Sequence, residues 1–308
     1  MVSNIVRTTS SFIGHTPLVR ISEKIYAKLE TINPSGSIKD RMAMAILDAA
    51  EVRGELKPGG TIVEATSGNS GIALSMLAAE RGYNMIVVMP ANMSEERKNM
   101  IKAYGAKIVQ VPAGDFAGAV EKRDALVKEL NAFCPNQFAN PDNIECHYKH
   151  TGKEILQQVA KLEGNPVISA FVSGTGTGGT LMGVRKALIR KYPHVQVVAV
   201  EPSESAVMSG GEAHEHSIQG IGDGFIPPIV DMNCIDEVIA ISSHDAIERA
   251  KRLAKELGLF VGISSGANVL AAERYIGNHH PKGIVITLLP DRGERYMSMV
   301  HNVSISQF

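Results

Sequence analysis

Val167-Ile168-Ser169-Ala170-Phe171-Val172-Ser173 runs directly into Gly174-Thr175-Gly176-Thr177-Gly178-Gly179-Thr180. A short apolar run closed by glycine predicts a buried strand over Val167 to Val172, and the residues from Thr180 to Lys191 predict the helix that follows. A glycine-rich turn between strand and helix is where backbone N–H groups and the helix dipole make an anion site. The glycines let the main chain approach a phosphate, and Thr177 and Thr180 add hydroxyl donors. A plain glycine-rich βα turn is the bland alternative. Gly174, Gly176 and Gly179 also match G-x-G-x-x-G, with Glu201 ending the next strand, so a dinucleotide site in an NAD-binding oxidoreductase remains open from this loop. No G-x-x-x-x-G-K-[ST] occurs in the chain, which argues against a P-loop nucleotide site.

The same alternation extends in both directions. Strands are expected at Ile25 to Glu30, Thr61 to Glu64, Met85 to Met89, Ile108 to Val111, Val195 to Val200 and Gly283 to Leu289. Helices are expected at Arg41 to Arg53, Gly71 to Arg81, Glu95 to Ala103, Ala117 to Asn131 and Ser243 to Leu257. Strands alternating with helices of this length imply an α/β chain of two doubly wound domains with mostly parallel sheets. Its 308 residues exceed one ordinary core and suit two domains of about 150 residues each. Pro135 to Asn143 is the expected connection between them. The expected division is residues 36–145, and residues 146–308 together with 1–35.

Hydrophobic residues make up 44% and the net charge is -1, so disorder, nucleic acid and acidic membranes are all disfavoured, and a small-molecule partner is expected. Cys134, Cys146 and Cys234 are too few and too scattered for a disulfide framework or zinc site. Residues 1–22 hold Arg7 and Arg20 and no acid, faintly like a transit peptide, but lack a secretory apolar core and are read as mature protein. No apolar run is long enough to span a bilayer, and a cytoplasmic location is expected. His147, His150 and the Glu212, His214, Glu215, His216 cluster lack a familiar zinc spacing and read as solvated polar loop, with no metal. The 13 Met read as core filler.

A second loop, Thr66-Ser67-Gly68-Asn69-Ser70-Gly71, also joins a strand to a helix. Its hydroxyls and helix-start N–H groups suit a carboxylate, and Asn69 could steady a phenolic oxygen. The alternative is an N-cap turn in which Ser67 or Asn69 satisfies the helix. Upstream, Asn33-Pro34-Ser35-Gly36-Ser37-Ile38-Lys39-Asp40-Arg41 places Lys39 between a turn and an apolar helix. Most lysines are solvated, yet one drawn against a core can lose its proton and become a nucleophile.

These three stretches, with Gly262-Ile263-Ser264-Ser265-Gly266-Ala267, Gly14-His15-Thr16-Pro17-Leu18-Val19, Gln137-Phe138-Ala139-Asn140-Pro141 and Gln219-Gly220-Ile221-Gly222-Asp223-Gly224-Phe225-Ile226-Pro227, occur in the order seen in the cysteine synthase (O-acetylserine sulfhydrylase) family. The chain resembles that family over nearly its whole length. The resemblance implies the tryptophan synthase β-like fold (fold type II) and pyridoxal 5'-phosphate. It implies that Lys39 forms the internal aldimine and later shuttles the α-proton. Asn69 would contact the ring oxygen, and Gly176, Thr177, Gly178, Gly179 and Thr180 would hold the phosphate. Thr66, Ser67, Gly68, Ser70 and Gln137 would receive the substrate carboxylate, and Ser264 would face the pyridine nitrogen. A hydroxyl there makes the ring a weaker electron sink than an acid would, which points to β-elimination and β-addition through an aminoacrylate intermediate.

The reaction so implied is O-acetyl-L-serine plus sulfide giving L-cysteine and acetate. Also implied are a homodimer, a mobile subdomain at about 84–131, and docking of the serine acetyltransferase C-terminus. Two positions depart from the family pattern. Ser70 stands where Thr is common, and Asp223 stands where the usual block is Gly-Ile-Gly-Ala-Gly-Phe. Asp223 is either a solvated loop acid or a base for water or a second thiol. In the latter case, serine or cysteine would serve as β-donor, with release of hydrogen sulfide or formation of cystathionine, lanthionine or serine. A serine or threonine dehydratase and a catalytically retired cofactor-binding protein are further alternatives.

Overall fold

The computed structural model describes residues 8–66 and 68–297. The described chain divides into two compact units, one drawn from residues up to His15 and from Asn33–Asn136, the other from Thr16–Ile32 and the residues from Gln137 onward.

In the first unit, β3 (Thr61–Ala65), β4 (Asn84–Pro90) and β5 (Lys107–Val111) form a parallel three-stranded sheet in the order β3-β4-β5. The strands are apolar on both faces because helices cover both. Ile62, Met85, Val87 and Met89 join a core with α1 (Lys39–Val52), α2 (Asn69–Arg81) and α3 (Glu95–Ala103). Val63 and Val88 join Ala119 of α4 (Phe116–Leu130) on the opposite side. Gly82 ends α2 in the left-handed conformation at φ 75°, the glycine-favouring helix stop.

In the second unit, β1 (Leu18–Arg20), β2 (Ile25–Leu29), β6 (Ile168–Gly174), β7 (Gln196–Pro202), β8 (Glu237–Ile241) and β9 (Ile284–Leu289) form a six-stranded sheet in the order β1-β2-β9-β6-β7-β8. Only the β1–β2 pair is antiparallel. α8 (Ser243–Leu257) and α9 (Ile263–His279) pack against the face bearing Ala170, Val172, Val198 and Val200. α7 (Gly179–Leu188) follows β6 and packs against β6 and β7. A continuous stretch, α5 (Pro141–Cys146), a π-helical segment His147–Thr151 and α6 (Gly152–Val159), packs against α7. The sheets are mostly parallel and the class is α/β, as expected. β1, β8, α9 and the Pro141–Val159 helical stretch were not among the expected elements. Among the described residues, no helix is long and apolar enough to cross a membrane, and no disulfide links the three cysteines.

Candidate active site

In the first unit, Lys39 is the opening residue of α1, two residues earlier than the helical periodicity alone indicated. The loop before it is held tightly. Gly36 has φ 87°, a conformation glycine adopts without steric cost, and its N–H donates to the Asn33 carbonyl at 2.7 Å. The Asn33 side chain accepts from the Gly14 N–H at 2.9 Å. Buried Asp40 accepts from the Ser35 N–H at 2.7 Å and from the Ser35 hydroxyl. The Lys39 N–H donates to Ser37 Oγ at 3.3 Å. Lys39 therefore projects from a fixed helix start and is only partly exposed.

The Thr66–Gly71 turn opens α2. Gly68 is the N-cap and carries no side chain to cap with, and Asn69 is the first residue of the helix. Asn69 is half-buried and Ser70 buried; Ser67 lies outside the described residues. Two side chains four apart on α3 lie close to this turn. A Cβ on Gly68 would lie 3.7 Å from Arg97 Nη1, and one on Gly71 would lie 3.3 Å from Ile101 Cδ1 and 3.1 Å from Thr66 Cγ2.

In the second unit, Gly174–Thr180 crosses from β6 into α7. Gly178 has φ 83° and acts as the α7 N-cap without a side-chain capping bond. The glycines are required by space. A Cβ at Gly176 would lie 2.3 Å from the Gly220 carbonyl oxygen, at Gly178 2.1 Å from Val230 Cγ2, and at Gly179 2.0 Å from Asn143 Oδ1. Thr177 Oγ1 accepts from Asn143 Nδ2 at 3.0 Å and from the Gly179 N–H at 3.4 Å. Thr180 Oγ1 bonds His147 Nε2 at 3.2 Å, while His147 Nδ1 bonds Thr151 Oγ1 at 2.9 Å. The buried Thr175 hydroxyl has no hydrogen-bond partner among the described residues. A glycine-lined turn at a helix start, with oriented hydroxyls, is chemically matched to a phosphate.

Gln137 is buried and its carbonyl accepts from Asn143 Nδ2 at 3.0 Å. Its neighbour Phe138 meets Phe225 edge-on at 5.1 Å, which joins this segment to the loop carrying Asp223. That loop is braced by His216. Its Nδ1 accepts from the Ile218 N–H, so the proton lies on Nε2 and is donated to the Gly222 carbonyl at 2.9 Å. Asp223 is exposed, with Oδ2 3.9 Å from where a Cβ on Gly176 would sit. Ser264 is buried in the first turn of α9.

The model matching residues 9–291 of the chain is that of the pyridoxal-phosphate-dependent enzymes. The chain belongs to that family. It is 44% identical over 306 residues to a cysteine synthase of Staphylococcus aureus (strain Mu50), covering 97% of both chains. The crystal structure of O-ureido-L-serine synthase is 40% identical and superposes with a TM-score of 0.92 over 99% of this chain and 98% of that one. A hydrogen sulfide-producing enzyme from Fusobacterium nucleatum is 39% identical, with a TM-score of 0.90 over 97% and 92% of the two chains. The chain is thus a pyridoxal-phosphate-dependent enzyme of fold type II.

Two sequence expectations need correction. Glu201, which completed the dinucleotide pattern, is buried and accepts from the N–H groups of Met208 and Ser209 at 2.7 and 3.1 Å and from the Ser209 hydroxyl. That carboxylate is consumed by its own loop, and the oxidoreductase alternative is not favoured. His147, expected on a solvated loop, is buried and bonded at both ring nitrogens. His150 and the Glu212–Glu215 residues are exposed, and no metal-binding group of His, Cys, Asp and Glu occurs among the described residues. Sequence reasoning also missed Asn143. The available signal was the spacing of Asn143, His147 and Thr151, four residues apart on one helical face.

Proposed function

We propose that the enzyme catalyses β-replacement, converting O-acetyl-L-serine and sulfide to L-cysteine and acetate. The observation that carries this reading is the Gly174–Thr180 turn, where Gly176, Gly178 and Gly179 have no room for a Cβ and the Thr177 and Thr180 hydroxyls are oriented from behind by Asn143 and His147. In this reading Gly176, Thr177, Gly178, Gly179 and Thr180 hold the phosphate, Asn69 the ring oxygen and Ser264 the ring nitrogen. Pyridoxal phosphate, when bound, supplies an electron sink for negative charge at the substrate Cα. Thr66, Ser67, Gly68, Ser70 and Gln137 receive the substrate carboxylate and fix the orientation of the Cα–H bond. Lys39 binds the cofactor, takes the α-proton as acetate leaves, and returns it after sulfide adds to Cβ.

The Lys39→Ala variant tests this. It should lose both the visible cofactor absorbance and cysteine formation; full turnover in it would refute the assignment. The reading extends to a homodimer, to a segment at about 84–131 that closes over substrate, to docking of the serine acetyltransferase C-terminus, and to a cytoplasmic location.

One observation favours a second reading. Asp223 stands beside Gly176 on a loop braced by His216, where its carboxylate would activate water or a thiol toward Cβ with cysteine or serine as donor. Assays of O-acetylserine, serine and cysteine against sulfide, homocysteine and water separate the two. Asp223→Asn that leaves all rates unchanged would remove Asp223 from the chemistry.

A further inference from the structure

We propose that Asn143 is a positioning residue that locks the Gln137 segment to the phosphate turn, so that one side-chain amide sets both the substrate-carboxylate and the cofactor-phosphate contacts. The inference deepens the reading above, in which Thr177 takes the phosphate and Gln137 the carboxylate.

Asn143 is 1% exposed. Its Nδ2 lies 3.0 Å from the Gln137 carbonyl oxygen and 3.0 Å from Thr177 Oγ1. A carbonyl can only accept, so the amide orientation is unambiguous, with the nitrogen facing both groups. Its two hydrogens diverge, one toward each acceptor. Thr177 Oγ1 then receives N–H donors from Asn143 and from Gly179. Its own proton is left to point at an anion, and the hydroxyl is polarised for that donation.

The Asn143 side chain has little freedom to do anything else. α5 is started by Asn140, whose side chain accepts from the Asp142 N–H at 2.9 Å, with Pro141 in its first turn. On the other side, Asn143 Oδ1 occupies the space a Cβ at Gly179 would take. A movement of the Gln137 segment on ligand binding must therefore be felt at Thr177, and the reverse holds by linkage.

The experiment compares Asn143→Asp, which keeps shape but removes both donors, with Asn143→Ala, Thr177→Val and the Asn143→Ala/Thr177→Val double variant. The readouts are the pyridoxal phosphate dissociation constant on reconstituting the apo-protein, the phosphorus NMR resonance of the bound phosphate, and KM against kcat for the amino-acid donor. Circular dichroism reports folding. Asn143→Asp should weaken cofactor binding about tenfold and raise KM about tenfold, the scale of one to two lost hydrogen bonds. It should shift the phosphorus resonance and leave kcat within about threefold. The double variant should bind the cofactor no more weakly than Thr177→Val alone, because the two residues act as one contact. If both Asn143 variants keep cofactor affinity and KM within about twofold while Thr177→Val weakens the cofactor, the proposal is overturned and the phosphate assignment survives. If Thr177→Val binds the cofactor normally, the phosphate assignment fails and the proposal falls with it.

Discussion

Replacing Gly176 by Ala is the most stringent probe of the phosphate turn, because the obstacle is backbone. The new Cβ would sit 2.3 Å from the Gly220 carbonyl oxygen and 3.4 Å from its carbon. A relaxed carbon–oxygen contact needs roughly 3.4 Å, so the two loops must part by about 1 Å. Side-chain rotation cannot relieve this. Gly220 has φ 94°, and the Gly222 N–H donates to the Thr175 carbonyl at 3.1 Å, so separation also strains a hydrogen bond one residue from the clash. Overpacking of this kind costs about 1–3 kcal/mol, and a rigid backbone obstacle places Gly176→Ala in the upper half, about 2–3 kcal/mol. Urea unfolding of the apo-protein measures that loss directly. The same titration with saturating pyridoxal phosphate should show a larger loss, because the displaced turn also binds the phosphate less well and the ligand's stabilisation shrinks with its affinity. A loss under about 0.5 kcal/mol in the apo-protein, with unchanged cofactor affinity, would refute the steric reasoning and the placement of the phosphate together.

Gly277 offers the opposite case. It is an exposed residue within α9, and nothing lies within 4 Å of the position its Cβ would take. Gly277→Ala should therefore stabilise the protein by about 0.5–1 kcal/mol in urea titration. The Cys134 thiol is pushed up to about 12 by burial and then by the charge of Glu64. A thiol raised in the folded state stabilises it fully below the unfolded thiol's ordinary pKa and loses that contribution as pH rises through the folded value. Unfolding free energy should fall between about pH 9 and 12, and Cys134→Ser should flatten that fall. Native Cys134 should also resist a thiol reagent at pH 8, whereas the urea-unfolded chain should react. Arg249 on α8 is 7% exposed and grips Glu273 on α9 through Nε at 3.1 Å and Nη2 at 2.7 Å. Glu273→Ala leaves that guanidinium buried, and the partial exposure of Glu273 limits the cost to about 1–3 kcal/mol, read from the urea midpoint.

What the sequence made legible divides along a physical line. Residues that must be glycine, or must alternate between strand and helix periods, leave a local signature. The Gly174–Thr180 turn, the Gly82 helix stop and most parallel strands were therefore readable, within a residue or two at their ends. Lys39 stands out in the sequence only through its surroundings, and the tight Asn33–Ser37 turn explains how those surroundings are fixed in shape. Partnerships across long sequence distances leave no such mark. Lys28, in the middle of β2, is fully buried because Glu154 and Gln158 lie 2.6 and 3.1 Å from its Nζ, about 130 residues away in sequence. Nothing near Lys28 announces those partners. His147 and Asn143 fail for the same reason in a more consequential place. Their local composition is that of a polar loop, rich in Asn, Asp, His and Lys. They are buried only because Thr177, Thr180 and Gly179 on another element face them. A turn shaped for a phosphate can thus be recognised from its own glycines, whereas the residues that aim its hydroxyls become visible only when the helix behind it is in place.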